Sequence, residues 1–599
     1  MKTIRVKLAP VREIFGIDLR TLALFRILLG VYILIDLCFR SRDLLAHYTD
    51  SGLMPRAVQM EFLYLSTWSI HLANGSAWFQ ALLFLLAAFL AILLILGWRT
   101  RLVTALSWLL MLSVQNRNTF ILSGEDNLAL LLLFWAMFLP LGARYSADCA
   151  VNRSERFSKN AYFSIATFAL LIQGMSMYFF SALLKTHPIW VPEGTAVYYA
   201  LHLDYLVTPF ALWFRQFEPM LTGLTYYVYV LELVGPFLIF SPLFHRTLRT
   251  LFMLAFITMH LAFLFFLEIG FFPFVSIIMN LTFMPGWMWD KLDGWLPRRT
   301  SDPVGIWFDR GCDFCEKTCH LLAVFLFLRT VPVKPAQDDP DIGPELESRN
   351  SWVLTVGNKR FFKFNAIVRL FGLSPVFFPV AWILDRNMFH GTGDRFYDWI
   401  GKNRPLLSRM TGGLLQWRDT DSRFGPMTQS IAAVFLIFIT LQNISTLAWS
   451  GLNLPSSFLF ARQALGLYQN WTMFAPYPEM TSPWPVIEGE LSDGTIVDVY
   501  RMQKGLADFD KPAVVSEVYA NYRWRKFLSI LEDRSYDDAH HRLALNYGRF
   551  LCRTWSAKHP DSPALSTFVI YFQTEPTPLP GGEKEISTRQ IWNHDCLNQ

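Results

Sequence analysis

The chain has 599 residues, of which 53% are hydrophobic and 16% aromatic, with a formal net charge of only +5. That composition excludes an ordinary soluble protein, and so small a charge, held mainly in short loops between apolar runs, excludes nucleic acid as a partner. Seven cysteines in this length do not make a disulfide scaffold.

An amino-terminal arm bearing Lys2, Arg5, Lys7, Arg12 and Arg20 precedes the first apolar run without a small-residue cleavage site. That run is therefore expected to stay as a membrane helix rather than be removed as a signal. A window of about 20 residues marks spans near 21–38, 77–97, 102–122, 127–143, 161–183, 221–242, 248–267 and 271–289, with a ninth near 429–449. The loop residues Arg99, Arg101, Arg144, Arg153, Arg156, Lys159, Arg246, Arg249, Lys291, Arg298 and Arg299 all fall on the side of the amino terminus. The expected fold class is a polytopic α-helical membrane protein of about nine spans in a bacterial inner (plasma) membrane, its amino terminus cytoplasmic. Eight helices fill residues 1–295, and the ninth, 428–450, carries the rest of the chain outside.

On this topology Glu125 and Asp126 open the fourth helix, Lys185 closes the fifth and Glu268 closes the seventh, all at the outer level. His260 lies deeper on the seventh, about 80° and about 12 Å from Glu268 on an ideal helix. Each has an ordinary role: Lys185 snorkels, Asp126 caps, Glu268 meets the interface and His260 satisfies a core hydrogen bond. Gathered at one level, they also suit a shared cavity opening outward.

The run from Tyr178-Phe179 through Lys185, Trp190 and Glu193-Gly194 resembles the lysine-bearing segment of the vitamin K-dependent gamma-carboxylases and their bacterial HTTM relatives. Further similar runs are His260 to Ile269-Gly270, Phe25-Arg26 to Asp36, Gly124-Glu-Asp126, Phe138 to Asp148 and Asn470 to Pro476, together covering roughly 20–290 and 428–599. The resemblance implies a carboxylase-like membrane domain in which Lys185 deprotonates a reduced quinone, oxygen and carbon dioxide are co-substrates, and an extracytoplasmic peptide or protein is modified. Partial desolvation of Lys185 favours the neutral amine such a base needs. The catalytic set is then Lys185, His260, Glu125, Asp126 and Glu268, with no metal. The chain departs from the animal enzymes at Glu125-Asp126, where a histidine stands in them, and at Leu184, where they carry a second lysine. Other HTTM proteins are linked to peptide or toxin maturation.

Residues 302–412 break the apolar pattern and begin with a strand-like run, a glycine turn and Cys312-Asp-Phe-Cys315 opening a helix. A cysteine pair at a helix start has its first sulfur near backbone N–H groups and the positive dipole end, which favours the thiolate and reversible disulfide closure. Half of a zinc site is the other use of that spacing. With Asp309 before the pair, and Pro335-Ala-Gln, Ser351-Trp352 and Asn365-Ala366 after it, the region resembles the DCC-type thiol-disulfide oxidoreductases. The resemblance implies a thioredoxin-like α/β domain with Cys312 attacking, Cys315 resolving and a thiol redox partner. Cys319 is either a third redox thiol or a buried core cysteine.

Residues 451–599 alternate apolar and polar around turns such as Ser492-Asp493-Gly494, which predicts a β-rich extracytoplasmic domain. Cys552 and Cys596 there either form a disulfide or stay unpaired. Three functions follow: a quinone-linked, carboxylase-like enzyme with a cytoplasmic thiol domain, a membrane-tethered thiol-disulfide oxidoreductase, or a non-enzymatic transport or assembly and maturation factor. All three place the lipid bilayer around the helices.

Overall fold

The long helices start where a side chain satisfies their free N–H groups. Asp18 caps α1 (Leu19–Ser41) by accepting the Arg20 N–H at 2.8 Å. Then come α2 (Ala77–Leu96), stopped by Gly97 at φ 68°, and α3 (Thr100–Arg117). Capping boxes open α4 (Gly124–Ala136), through Ser123 and Asp126, and α5 (Ile165–Leu184), through Ser164 and Thr167. The helices α6 (Glu218–Leu238), α7 (His245–Phe266) and α8 (Phe272–Leu281) complete the first part. This computed structural model describes residues 9–153, 160–295, 300–328, 331–418, 424–533, 538–578, 582 and 584–598. The basic residues Lys2, Arg5, Lys7, Arg156, Lys159, Arg298 and Arg299 lie outside them.

Among the described residues, six helices are long and apolar enough to cross a membrane: α1, α2, α5, α6, α7 and the later Pro426–Ser445. The predicted spans near 102–122, 127–143 and 271–289 are helices that fall short of that standard. α3 carries Arg101 and Arg117, while α4 and α8 have only 13 and 10 residues. Their surroundings explain the difference. α4 is buried along almost its whole length by other helices, so it meets protein rather than lipid and needs no bilayer-matched length.

The helices run between two ends. At one end the Leu19 N–H bonds the Asn160 carbonyl at 2.8 Å, and Arg249 bonds the Ile14 and Phe283 carbonyls, each at 2.8 Å. The region 302–418 docks there. It has β1 (Val304–Phe308), α9 (Asp313–Phe325), β2 (Val333–Pro335) parallel to β1, and then the antiparallel β3 (Val353–Val356) and β4 (Lys359–Phe362), in the sheet order β2-β1-β3-β4. Ile306, Cys319, Leu354 and Leu370 form its core. Trp98 donates to the Leu414 carbonyl at 2.7 Å, Trp417 donates to Asp313 at 2.7 Å, and Arg153 pairs with Glu316 at 3.4 Å.

The helix α10 (Pro426–Ser445) carries the chain to the opposite end, where the carboxyl-terminal region packs. Its antiparallel sheet contains β5 (Thr481–Leu491), β6 (Ile496–Asp498), β7 (Gln503–Lys504), β8 (Leu565–Pro576) and β9 (Ser587–Asp595), ordered β9-β8-β5-β6-β7. The strands expected around Trp484 and Gly494 are β5 and β6. Between β7 and β8, however, lie two helices, α11 (Tyr522–Asp533) and α12 (Asp538–Lys558), so the region is mixed rather than purely β-rich. Leu543, Tyr547 and Leu551 are buried at four-residue spacing, the helical signal that alternation around the turns obscured.

Cys552 on α12 is disulfide-bonded to Cys596 after β9, with a Cα–Cα distance of 5.8 Å and a sequence separation of 44. Cross-linking a loop of that length removes denatured-state entropy worth roughly 4 kcal/mol. Cys552→Ser should therefore lower the melting temperature of the purified protein, and reductant should do the same to the unaltered chain. Identical melting with and without reductant contradicts this.

Candidate functional site

Tyr178, Ser181 and Lys185 recur at three- and four-residue spacing, which puts them on one face of α5. They line a cavity of about 130 Å³ that α6, α7 and the segment Trp471–Phe474 close. Its walls are otherwise mainly apolar, with Met177, Val228, Met259, Phe263 and Phe272 among them. A lysine only 5% exposed needs a partner, and Lys185 has three. Its Nζ donates to Ser181 Oγ at 2.9 Å, ion-pairs with Glu232 of α6, and lies 4.8 Å from the centre of the Trp190 ring. Snorkelling to an interface does not describe a group held in this way.

Glu232 was not found by sequence reasoning, though its signal was present: it is the single acid within the apolar stretch 221–242. Pro236, four residues on, has no N–H to return to the Glu232 carbonyl, so the helix is locally weakened beside the pair.

His260 of α7 lines the same cavity. Its Nε2 lies 2.7 Å from the Tyr178 hydroxyl, which also accepts from Asn280 Nδ2 at 2.6 Å. The direction of the Tyr178–His260 bond follows the His260 tautomer: with the Tyr178 proton on Nε2, the ring proton of His260 sits on Nδ1. That Nδ1 is buried and has no hydrogen-bond partner within the protein. Phe256 stacks on Tyr178 at 4.1 Å and holds the chain in place. Tyr178 and Asn280 thus form a hydrogen-bonded row with His260 that the sequence alone does not reveal.

The other three acids do not line this cavity. α7 ends at Phe266, and Leu267 pairs with Val207, so Glu268 leaves the helix direction that would bring it near His260. The Glu268 carbonyl instead accepts from Arg525. Asp126 belongs to a buried ionic cluster: Arg40 pairs with it and with Asp36 at 2.7 Å, while Arg523 bonds Asp36 at 2.7 Å and Asp126 at 3.1 Å. Glu125 is bonded by Ser123 and lies 4.0 Å from Arg523. The cluster joins α1 and α4 to α11, so these acids attach the carboxyl-terminal region to the bundle.

At the other end, Cys312 stands before the first residue of α9 and is disulfide-bonded to Cys315, whose N–H points at Cys312 Sγ at 3.2 Å. Asp309 Oδ1 accepts from the Gly311 N–H at 3.2 Å and from Gln337 at 2.9 Å, which fixes the turn. Cys319 is buried in the core of this region, and burial pushes its thiol up to about 12. It stays protonated, and the core reading of this residue is the one the geometry favours. Cys552, Cys596 and His594 also approach one another, with ligand atoms all within 4.8 Å, but both sulfurs are held in the disulfide.

Residues 16–287 match the HTTM domain, a domain also found in vitamin K-dependent carboxylase-like membrane proteins. A curated relative, the sporulation-delaying protein SdpB of Bacillus subtilis (strain 168), is 29% identical over 181 residues, which are 30% of this chain and 54% of that protein. The chain thus spans about half the length of the curated relative it matches. No solved structure matches it. The two matches support the HTTM family for the helical part, and the six long apolar helices make this a membrane protein.

Two outcomes follow. Arg523→Ala strands Asp36 and Asp126 beside a single arginine and should cost about 3–5 kcal/mol, seen as a lower denaturation midpoint in detergent; an unchanged midpoint contradicts the cluster's role. After reduction, iodoacetamide near neutral pH should alkylate Cys312 and Cys315 in the folded protein but spare Cys319, as read by peptide mass spectrometry.

Proposed function

We propose that the cavity around Lys185 is the active site of a quinone-linked, carboxylase-like membrane enzyme that modifies an extracytoplasmic peptide or protein. The observation that carries this reading is the pairing of a buried Lys185–Glu232 couple with a buried, unpartnered His260 Nδ1 beside one mainly apolar cavity. A planar ring bearing two oxygens and an apolar tail matches that donor set, with one oxygen facing the amine and another the imidazole N–H. A reduced quinone, when bound, supplies an acidic hydroxyl and a pair of electrons, with oxygen and carbon dioxide as the co-substrates.

The protein's own part is proton handling. Glu232 is bonded directly to Lys185 Nζ and takes the ammonium proton, so that the neutral amine can receive the ligand's hydroxyl proton. Ser181 and Trp190 fix the Nζ position. His260, oriented by Tyr178 and Asn280, donates from Nδ1 to a second ligand oxygen. Trp190 Nε1 bonds the Phe474 carbonyl at 3.2 Å, so the segment leading into the carboxyl-terminal region helps to exclude water from the cavity. This reading counts nine crossings, the six long helices together with the shorter or more polar α3, α4 and α8. The carboxyl-terminal region then lies outside and presents the substrate.

The region 302–412 supports a second activity at the other end. Its parallel β1-α9-β2 unit followed by an antiparallel pair, with a dithiol at the start of α9, favours a thioredoxin-like thiol-disulfide oxidoreductase. It would serve a separate thiol partner on the cytoplasmic face.

Mass spectrometry of extracytoplasmic proteins from cells with the unaltered chain, Lys185→Ala or Cys312→Ser tests the assignment. The modified species should vanish with Lys185→Ala and persist with Cys312→Ser. Persistence in Lys185→Ala cells that hold normal amounts of the protein sinks the proposal; loss only with Cys312→Ser makes the dithiol the main activity.

A further inference from the structure

A second cavity, of about 490 Å³, lies at the opposite end of the bundle from Lys185, where α2 turns into α3. Arg99, Arg101 and Arg418 line it together with one carboxylate, Asp148. Asp148 is fully engaged: it accepts the Arg99 and Thr100 N–H groups, each at 2.8 Å, the Thr100 hydroxyl at 3.0 Å and Arg418 at 3.2 Å. It therefore caps α3 and neutralises one arginine. Arg99 and Arg101 have no carboxylate among the described residues. Arg99 rests on the Trp98 ring at 5.1 Å with a buried, unpartnered Nε, and Arg101 lies over Phe424 at 3.9 Å. Behind them the buried Arg26 bonds only carbonyl oxygens, those of Leu141, Arg144, Ile95 and Tyr145. Among the described residues the positive charge at the cavity exceeds the negative.

We propose that this cavity binds a phosphate-bearing anion, held by Arg99 and Arg101 and flanked by Arg418. Guanidinium forks suit phosphate oxygens, and aromatic rings beneath two of them hold their planes in place. The cavity is much larger than one phosphate ion, and Leu102, 51% exposed, forms part of its wall at the start of α3. Those features fit an anionic phospholipid headgroup whose tails run along the helix. Arg418 lies in the connection between the region 302–412 and α10, and its N–H bonds the Val151 carbonyl at 3.0 Å. An occupant would therefore also tie that connection to the bundle.

Native mass spectrometry of the delipidated full-length protein tests this, with phosphatidylglycerol, phosphatidylcholine and inorganic phosphate as the three probes. The subjects are the unaltered chain, R101Q, the double variant R99Q/R101Q, and R246Q, an exposed arginine away from the cavity. Phosphatidylglycerol should bind in preference to phosphatidylcholine, weaken about fivefold for each arginine removed, and be unaffected by R246Q. R101Q alters an exposed side chain, so the result stands even where the double variant folds poorly. Arginine-dependent binding of inorganic phosphate that displaces the lipid also supports the site and assigns its ligand to a soluble source. Equal binding of the two lipids, or equal phosphatidylglycerol binding by R101Q and the unaltered chain with no phosphate binding, overturns the proposal.

Discussion

A charged amine buried between membrane helices must be paired, and the Lys185–Glu232 couple is the interaction on which the functional core of this protein depends. It sets the approach of α5 to α6, because the two side chains meet near the end of one helix and in the middle of the other. It also leaves an apolar cavity with polar groups concentrated on a few walls, which is the form a ligand with a polar head and a greasy tail requires. The same couple is the basis of the proton transfer proposed above.

The rest of the architecture protects this arrangement. Arg523 reaches from the carboxyl-terminal region into the bundle and, with Arg40, neutralises Asp36 and Asp126, anchoring the region that contributes to closing the cavity. The dithiol region docks at the other end through Trp417, Trp98 and Arg153. The bundle lies between the Cys312–Cys315 pair and the Lys185 cavity, so Cys312 does not reach that cavity directly.

Much of this was legible in the sequence. Runs of about 20 apolar residues marked the six long helices, and the strand, turn and Cys-x-x-Cys order marked β1 and α9. Lys185 and His260 were singled out, and both line the cavity. What was not legible depends on packing. Asp126 has the appearance of a catalytic acid until Arg523, 397 residues away in sequence, is seen to bond it. Glu268 was assigned by extending a helix that in fact stops at Phe266. That α4 is covered by protein was not legible, because burial in protein and burial in lipid select the same apolar residues. Glu232 was within reach, since a lone acid in a membrane stretch is itself a signal, but its partner could not be known without the fold.

A structure of the protein in lipid nanodiscs with an added short-tailed quinol would decide whether the Lys185 cavity is the quinol site. The quinol ring should lie in the cavity, with one oxygen against Lys185 Nζ and another against His260 Nδ1. A quinol bound elsewhere, with the Lys185 cavity filled by side chains and its ion pair undisturbed, would contradict it.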